Sequence, residues 1–207
     1  GYYVHYANRI GLLSMTDPQT YITYLYRTNI AASRAFGIEG VIETDIMDWF
    51  VDDSQHHLHL FVNGSYTHAR YFKSDENGVE GNRVEQVPPV TLKSGISYIW
   101  CGLKLSYQYS YTAQQFTDAT NTEFVANAIY GLIPAYAVHD VSASYEWRWF
   151  TLETGINNLL DNQYFTRRAT AYPGPGILPS EGRSFFITLQ LKLNQTNVRK
   201  TATFDNC

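Results

Sequence analysis

Apolar and polar residues alternate with a period of two along most of this chain, in segments separated by polar, turn-rich stretches. Eight such segments are predicted to be β-strands: Tyr2–Leu13, Tyr24–Asp48, Leu58–Ala69, Val90–Tyr98, Leu103–Tyr111, Ala137–Trp147, Trp149–Asn157 and Ser184–Leu193. The clearest sets Leu103, Leu105, Tyr107, Tyr109 and Tyr111 against Lys104, Ser106, Gln108 and Ser110. The last sets Phe185, Ile187, Leu189, Leu191 and Leu193 against Ser184, Thr188, Gln190 and Lys192. In the second, Phe36, Ile38, Ile42 and Ile46 share one side, and Glu39, Glu43 and Asp45 form an acidic stripe on the other. Successive side chains of a strand point to opposite faces, so each segment has one apolar and one polar face. Tyr24–Asp48 is too long for a single membrane crossing of about 9–11 residues and must project beyond it.

The connections alternate in length. Those at Tyr98 to Leu103 and Trp147 to Trp149 are tight, and the Asp48–His57 turn is intermediate. The others, at residues 14–23, 70–89, 112–136 and 158–183, are long and polar. All four tryptophans, Trp49, Trp100, Trp147 and Trp149, lie at or beside the short connections. Indole has an apolar body and a polar N–H, which suits a membrane–water interface. Short turns with aromatics at one end and long loops at the other predict an all-β, antiparallel up-and-down barrel standing in a membrane. The short turns are then periplasmic and the long loops extracellular. A water-soluble sandwich gives no reason for this rhythm.

Composition sharpens the picture in few places. Charged residues are 16% of the chain, below the usual quarter of a soluble domain. The net charge of −4 gives no support for nucleic-acid binding. No apolar run approaches the roughly 18–20 residues of a transmembrane helix, and mean hydropathy of −0.28 is compatible with a barrel whose inner face is polar. Cys101 and Cys207, far apart in sequence, give little reason to expect a disulfide. The Gly1-Tyr2-Tyr3 start carries no secretory signal, which leaves either a protein that is not exported or the back end of a longer chain.

Three groups of motifs then meet a family. Gly155-Ile-Asn-Asn-Leu-Leu-Asp-Asn-Gln-Tyr164, Tyr172-Pro-Gly-Pro-Gly176, Gly182-Arg183 and the strand through Leu193 resemble the end of TonB-dependent outer-membrane receptors. Asn29 with Ala35-Phe-Gly-Ile-Glu39 resembles an upstream strand of that family, and Gly64-Ser-Tyr-Thr67 followed by Val87-Pro-Pro-Val90 resembles the next hairpin pair. The resemblance covers residues 1 to about 193. It implies a parent barrel of about 22 strands, of which these are the last eight. The Thr166-Arg-Arg form, with Tyr-Pro-Gly-Pro-Gly and Ser180-Glu-Gly-Arg183, is most similar to ferric-citrate-type receptors of Bacteroidota. Residues 194–207, a polar tail, depart from the family's terminal aromatic and are expected to be disordered.

Candidate chemistry is confined to binding. Arg167 and Arg168 lie in the last long loop with Tyr164 and Tyr172. Guanidinium groups hold carboxylates through paired hydrogen bonds, so these four are the candidate contacts for an anionic ligand such as a ferric chelate. Arg183 is expected to hold the loop in place. The Pro173–Pro179 run restricts the backbone and folds the loop back. Asn157, Asn158 and Asp161 are expected to build the strand exit. His56, His57 and His59 carry metal-ligand chemistry, but they sit at a turn beside Asp52 and Asp53, and no metal is expected there.

No phosphate-binding loop, nucleophile elbow or zinc-protease signature occurs. The expected protein is therefore no enzyme, needs no cofactor, and is the C-terminal fragment of a receptor for active uptake of a ferric siderophore or ferric citrate. Its expected partners are the chelate, outer-membrane lipid, its own plug domain, and the TonB complex reached through an N-terminal region. The alternative is a self-contained eight-stranded barrel acting as adhesin or anchor. That alternative requires Tyr2–Leu13 to be hydrogen-bonded to Ser184–Leu193.

Overall fold

The computed structural model describes residues 1–50, 55–126, 128–169 and 175–192. Asp52, Asp53, Tyr172, Pro173, Gly174, Leu193, Cys207 and the 194–207 tail lie outside them, and with them the expectations about the tail, the cysteine pair and Tyr172.

Among the described residues, twelve strands run in chain order: β1 (Tyr2–Thr16), β2 (Thr23–Asp45), β3 (His56–Ser74), β4 (Val90–Trp100), β5 (Leu103–Thr112), β6 (Gln115–Phe116), β7 (Leu132–Ile133), β8 (Tyr136–Trp147), β9 (Phe150–Asn157), β10 (Phe165–Ala169), β11 (Gly176–Pro179) and β12 (Ser184–Leu191). A 3₁₀ turn, Met47–Trp49, separates β2 from β3. Eight strands form one antiparallel sheet in the order β1-β2-β3-β4-β5-β8-β9-β12. These are the eight predicted segments, displaced at their ends by a few residues. The largest differences are at β1 and β3, which run on to Thr16 and Ser74 and shorten the long loops there.

β1 and β12 are the two ends of the sheet, and no pairing joins them among the described residues. The closed eight-stranded barrel of the alternative reading is therefore not formed. Its required pairing would wrap the sheet on itself, whereas each of these end strands has one bonded neighbour.

Register makes the two faces continuous. Leu60, Ile96, Tyr107, Val141, Ile156 and Phe185 stand opposite one another in successive strands and form an apolar row across six of them. On the reverse face the corresponding row is His59, Ser97, Ser106, Ser142, Gly155 and Phe186. Directly opposed residues of antiparallel strands share a face, so one-residue slips would exchange these rows. No second large sheet covers the apolar face among the described residues. Ile38, Ile42, Phe185 and Ile187 are 66%, 68%, 71% and 75% exposed. A soluble sandwich would have buried them.

The polar face is smoothed by two glycines opposite phenylalanines. A Cβ on Gly95 would lie 2.3 Å from Phe61 Cε1, and one on Gly155 would lie 2.5 Å from Phe186 Cε1 and 2.8 Å from the Val141 carbonyl oxygen. Each ring occupies the space that a Cβ on the neighbouring strand would fill, so only glycine leaves room. At the tight end, the β4–β5 turn is two residues, Cys101 and Gly102, with φ of 45° and 84°. Positive φ at both positions is the hairpin form whose twist matches the strands.

Gly95→Ala should destabilise the barrel by about 1–3 kcal/mol, as overpacking does, while Gly40→Ala, with nothing within 4 Å of its Cβ position, should have no steric effect. In a Phe61→Ala background the Gly95 penalty should vanish. The Gly155 penalty should persist in a Phe186→Ala background because the Val141 carbonyl remains. Denaturant unfolding of the intact protein measures all four.

Candidate ligand-facing mouth

A one-layer sheet with an uncovered apolar face has little interior. Burial is concentrated at the long-loop end. Leu13, Ile30, Ala69, Tyr71, Val79, Val84 and Ala119 form one cluster there. Its members come from the far ends of β1, β2 and β3 and from the two loops that follow, residues 75–89 and 113–135. β2 explains the geometry. At about 3.3 Å per residue, its 23 residues reach roughly 75 Å, against about 30 Å of hydrocarbon. The surplus extends the first three strands beyond their shorter neighbours at the long-loop end and gives the loops a wall to pack on.

The two loops are ordered by each other. Asn121 Nδ2 donates to the Arg83 carbonyl and Asn121 Oδ1 accepts from the Arg83 amide, both at 2.8 Å. Asn82 Nδ2 donates to the carbonyls of Gly78 and Ala119 at 2.7 and 3.0 Å, and the Gln86 amide donates to the Phe116 carbonyl. Within the cluster the Tyr71 hydroxyl donates to Glu85 Oε2 at 2.6 Å. Burial first, and the Glu85 carboxylate second, push the Tyr71 hydroxyl far above its ordinary pKa. Gly11 leaves space for this pair, since a Cβ there would lie 3.0 Å from Glu85 Oε1 and 2.2 Å from Ile30 Cδ1. These contacts were not foreseen from sequence. Val79, Val84 and Ala119 are isolated apolar residues in polar surroundings and produce no periodic signal.

The last long loop is also folded. β10 and β11 pair as a hairpin, with Arg167 opposite Leu178 and Arg168 opposite Ile177. Gly176–Pro179, the described end of the proline run, form the return strand of this hairpin, and the reversal itself lies outside the described residues. The two arginines do not face the same way. Neighbouring residues of a strand face opposite ways. Arg167 is exposed. Arg168 turns inward, donating from Nη1 to the Ala128 carbonyl at 2.9 Å and from Nη2 to the Leu132 carbonyl at 2.7 Å. Its guanidinium also lies 5.0 Å from the Phe165 ring centroid. Desolvation lowers its pKa. Tyr164 stacks on Tyr136, with ring centroids 4.6 Å apart.

The strand exit is built as expected from Asn and Asp side chains. Asn158, 3% exposed with φ of 51°, accepts the Asn162 amide at 2.9 Å and donates to the Asn162 carbonyl at 3.0 Å. Asn157 Nδ2 donates to Ser184 Oγ at 3.3 Å. Asp161 Oδ1 accepts the Arg183 amide at 2.8 Å. Arg183 therefore closes the loop through its backbone, while its residue surface remains exposed. At the opposite end the four tryptophans stand at or beside the β2–β3, β4–β5 and β8–β9 connections, each exposed. Trp147 and Trp149 flank Phe150, and Trp100 stacks on His56.

The model of the family described as TonB dependent receptor-like, beta-barrel matches residues 1–159. The probable TonB-dependent siderophore receptor PiuA of Acinetobacter baumannii is 26% identical over 85% of this chain and 22% of its own length. The solved PiuA structure superposes with a TM-score of 0.62 at 21% identity, covering 90% of this chain and 24% of that one. The unliganded ferric citrate transporter FecA superposes with a TM-score of 0.68 at 20% identity, covering 77% of this chain and 24% of that one. The copper transporter OprC gives 0.64 at 15% identity, covering 91% and 27%. The chain spans about a quarter of the length of these relatives.

Removing Arg168 should loosen the mouth, because two hydrogen bonds from a charged donor, each about 1.5–3 kcal/mol, would be lost. In Arg168→Ala, hydrogen exchange of the described residues between 117 and 133 should accelerate markedly. In Arg167→Ala it should not change. Equal protection in both variants would show that Arg168 does not anchor the loop.

Proposed function

This chain belongs to the TonB-dependent receptor β-barrel family, and from that membership we propose that it is the C-terminal part of an outer-membrane receptor for active uptake of a ferric chelate, a siderophore or ferric citrate. One observation carries the reading: an open antiparallel sheet with an uncovered apolar face, whose long loops fold together at one end only.

Each element then has a place. The apolar rows face lipid, and the exposed tryptophans mark the periplasmic rim. The folded loops form the extracellular mouth. The free edges of β1 and β12 pair with other strands of the parent barrel, since unpaired backbone groups cost several kcal/mol each in hydrocarbon. The polar face, with Glu39, Glu43, Lys93 and Asp140, lines the lumen against the receptor's own plug domain. TonB acts through the N-terminal region and opens a path past this wall. No bond of the ligand is made or broken by these residues.

The ligand is read as an anion, and its contact as Arg167. This guanidinium is solvent-facing on a hairpin whose other arginine is committed to loop carbonyls, so its paired donors are available to a carboxylate. Tyr164 and Tyr172 complete the proposed contact set. The Thr166-Arg167-Arg168 form is what supports the ferric-citrate-type subfamily of Bacteroidota.

Cells expressing the full-length receptor with Arg167→Ala should need about tenfold or more chelate for half-maximal iron uptake, the equivalent of one charge-assisted hydrogen bond of about 1.5–3 kcal/mol. Arg167→Lys should fall between, since it keeps the charge and loses the fork. Growth and radio-iron uptake on citrate, catecholate and hydroxamate chelates measure this. Unchanged uptake of every anionic chelate would remove Arg167 from the site.

A further inference from the structure

At the tight-turn end of β2 and β3 the chain brings together Asp45, His57 and His59, with one ligand atom from each lying within 4.8 Å of the others. All three are on the polar face. Asp45 stands opposite His59 in the β2–β3 register, and His57 is two residues from His59 on the same side of β3. Asp45 Oδ2 lies 2.8 Å from His57 Nδ1 and 3.8 Å from His59 Nδ1. The two imidazoles stack with centroids 5.8 Å apart and planes 10° from parallel. The other carboxylate oxygen, Oδ1, is held by the backbone amides of Met47 and Leu58, each at 3.0 Å. The turn therefore fixes the carboxylate by one oxygen and aims the second at both rings.

We infer that Asp45, His57 and His59 bind a divalent transition-metal ion of the zinc class. Two imidazole nitrogens and one carboxylate oxygen are the donor set such an ion prefers, with a fourth tetrahedral position taken by water or a further group. The distances fit. Two ligands of a tetrahedral zinc with bonds of about 2.0–2.1 Å are roughly 3.3 Å apart, so the present separations of 2.8 and 3.8 Å straddle the required one. Each must change by roughly half an ångström. The two amides on Oδ1 are the outer-shell hydrogen bonds that orient a metal-bound carboxylate. The ion would tie the last residue of β2 to the first residues of β3 across residues 46–55, a clip on the barrel wall that is independent of ligand uptake at the other end. His56 supplies a built-in control. It faces the other way, with Nδ1 2.6 Å from the Tyr98 hydroxyl and its ring on Trp100.

The test uses the full-length receptor, purified in detergent and freed of metal, titrated with zinc and with cobalt(II) as a spectroscopic probe. One equivalent should bind, with the intense visible absorption of four-coordinate cobalt. His57→Ala, His59→Ala and Asp45→Asn should each weaken binding by about tenfold or more, given that outer-shell changes alone weaken metal sites by about 10–100-fold. His56→Ala should bind like the parent. The carboxamide introduced by Asp45→Asn retains an oxygen for the two amides, so that variant keeps the turn. In the unmutated receptor, zinc should protect His57 and His59, and not His56, from diethyl pyrocarbonate, read residue by residue by mass spectrometry. Parent-like binding by the His57 and His59 variants, or labelling indifferent to zinc, overturns the assignment. Loss of binding with iron uptake intact leaves both this site and the uptake reading standing, since the two ends are tested separately.

Discussion

A peptide group in hydrocarbon has no water to bond, so every N–H and C=O of a spanning strand must find another strand. The rest of this structure depends on that constraint. It explains why seven strand pairings run in sequence without a gap, and why the ladder is antiparallel with minimal turns at one end. It also explains why apolar side chains can stand outward on a sheet that has almost no core between its ends. On the proposed reading, the sheet's two edges, β1 and β12, carry the same constraint outward to other strands of the receptor barrel. Side-chain alternation then gives the sheet one apolar and one polar face, which on the proposed reading meet lipid and lumen.

Strands were legible because alternation is a long, repeated signal. Leu103, Val90, Asn157 and Ser184 mark strand ends that the pattern locates to the residue. The short hairpins β6–β7 and β10–β11 were not legible, since two to five residues give no period to read. Recognition of β10 as a strand would have separated Arg167 from Arg168, because adjacent strand residues cannot share a face. The histidine cluster failed for a related reason. Sequence placed Asp45 with the acidic stripe of β2 and His57 and His59 with the turn; only the β2–β3 register shows that they meet.

The mouth is more of a folded unit than its polar sequence suggested. A handful of apolar residues from loops 75–89 and 113–135 pack on the projecting ends of β1 to β3, and paired side-chain amides at Asn82 and Asn121 lock the loops to one another. Such packing reduces the conformational entropy to be lost when a ligand is held. The packing depends on the overlong strands: without the projecting ends of β1 to β3, the loops would have nothing to fold against.

Arg168 fastens its hairpin to the neighbouring loop through the carbonyls of Ala128 and Leu132, and a carbonyl is present whatever residue occupies the position. The attachment is therefore blind to side-chain identity on the accepting loop. Substitutions at those acceptor positions can accumulate without detaching the hairpin, so a lineage can retune what the mouth recognises while its anchoring hardware stays the same.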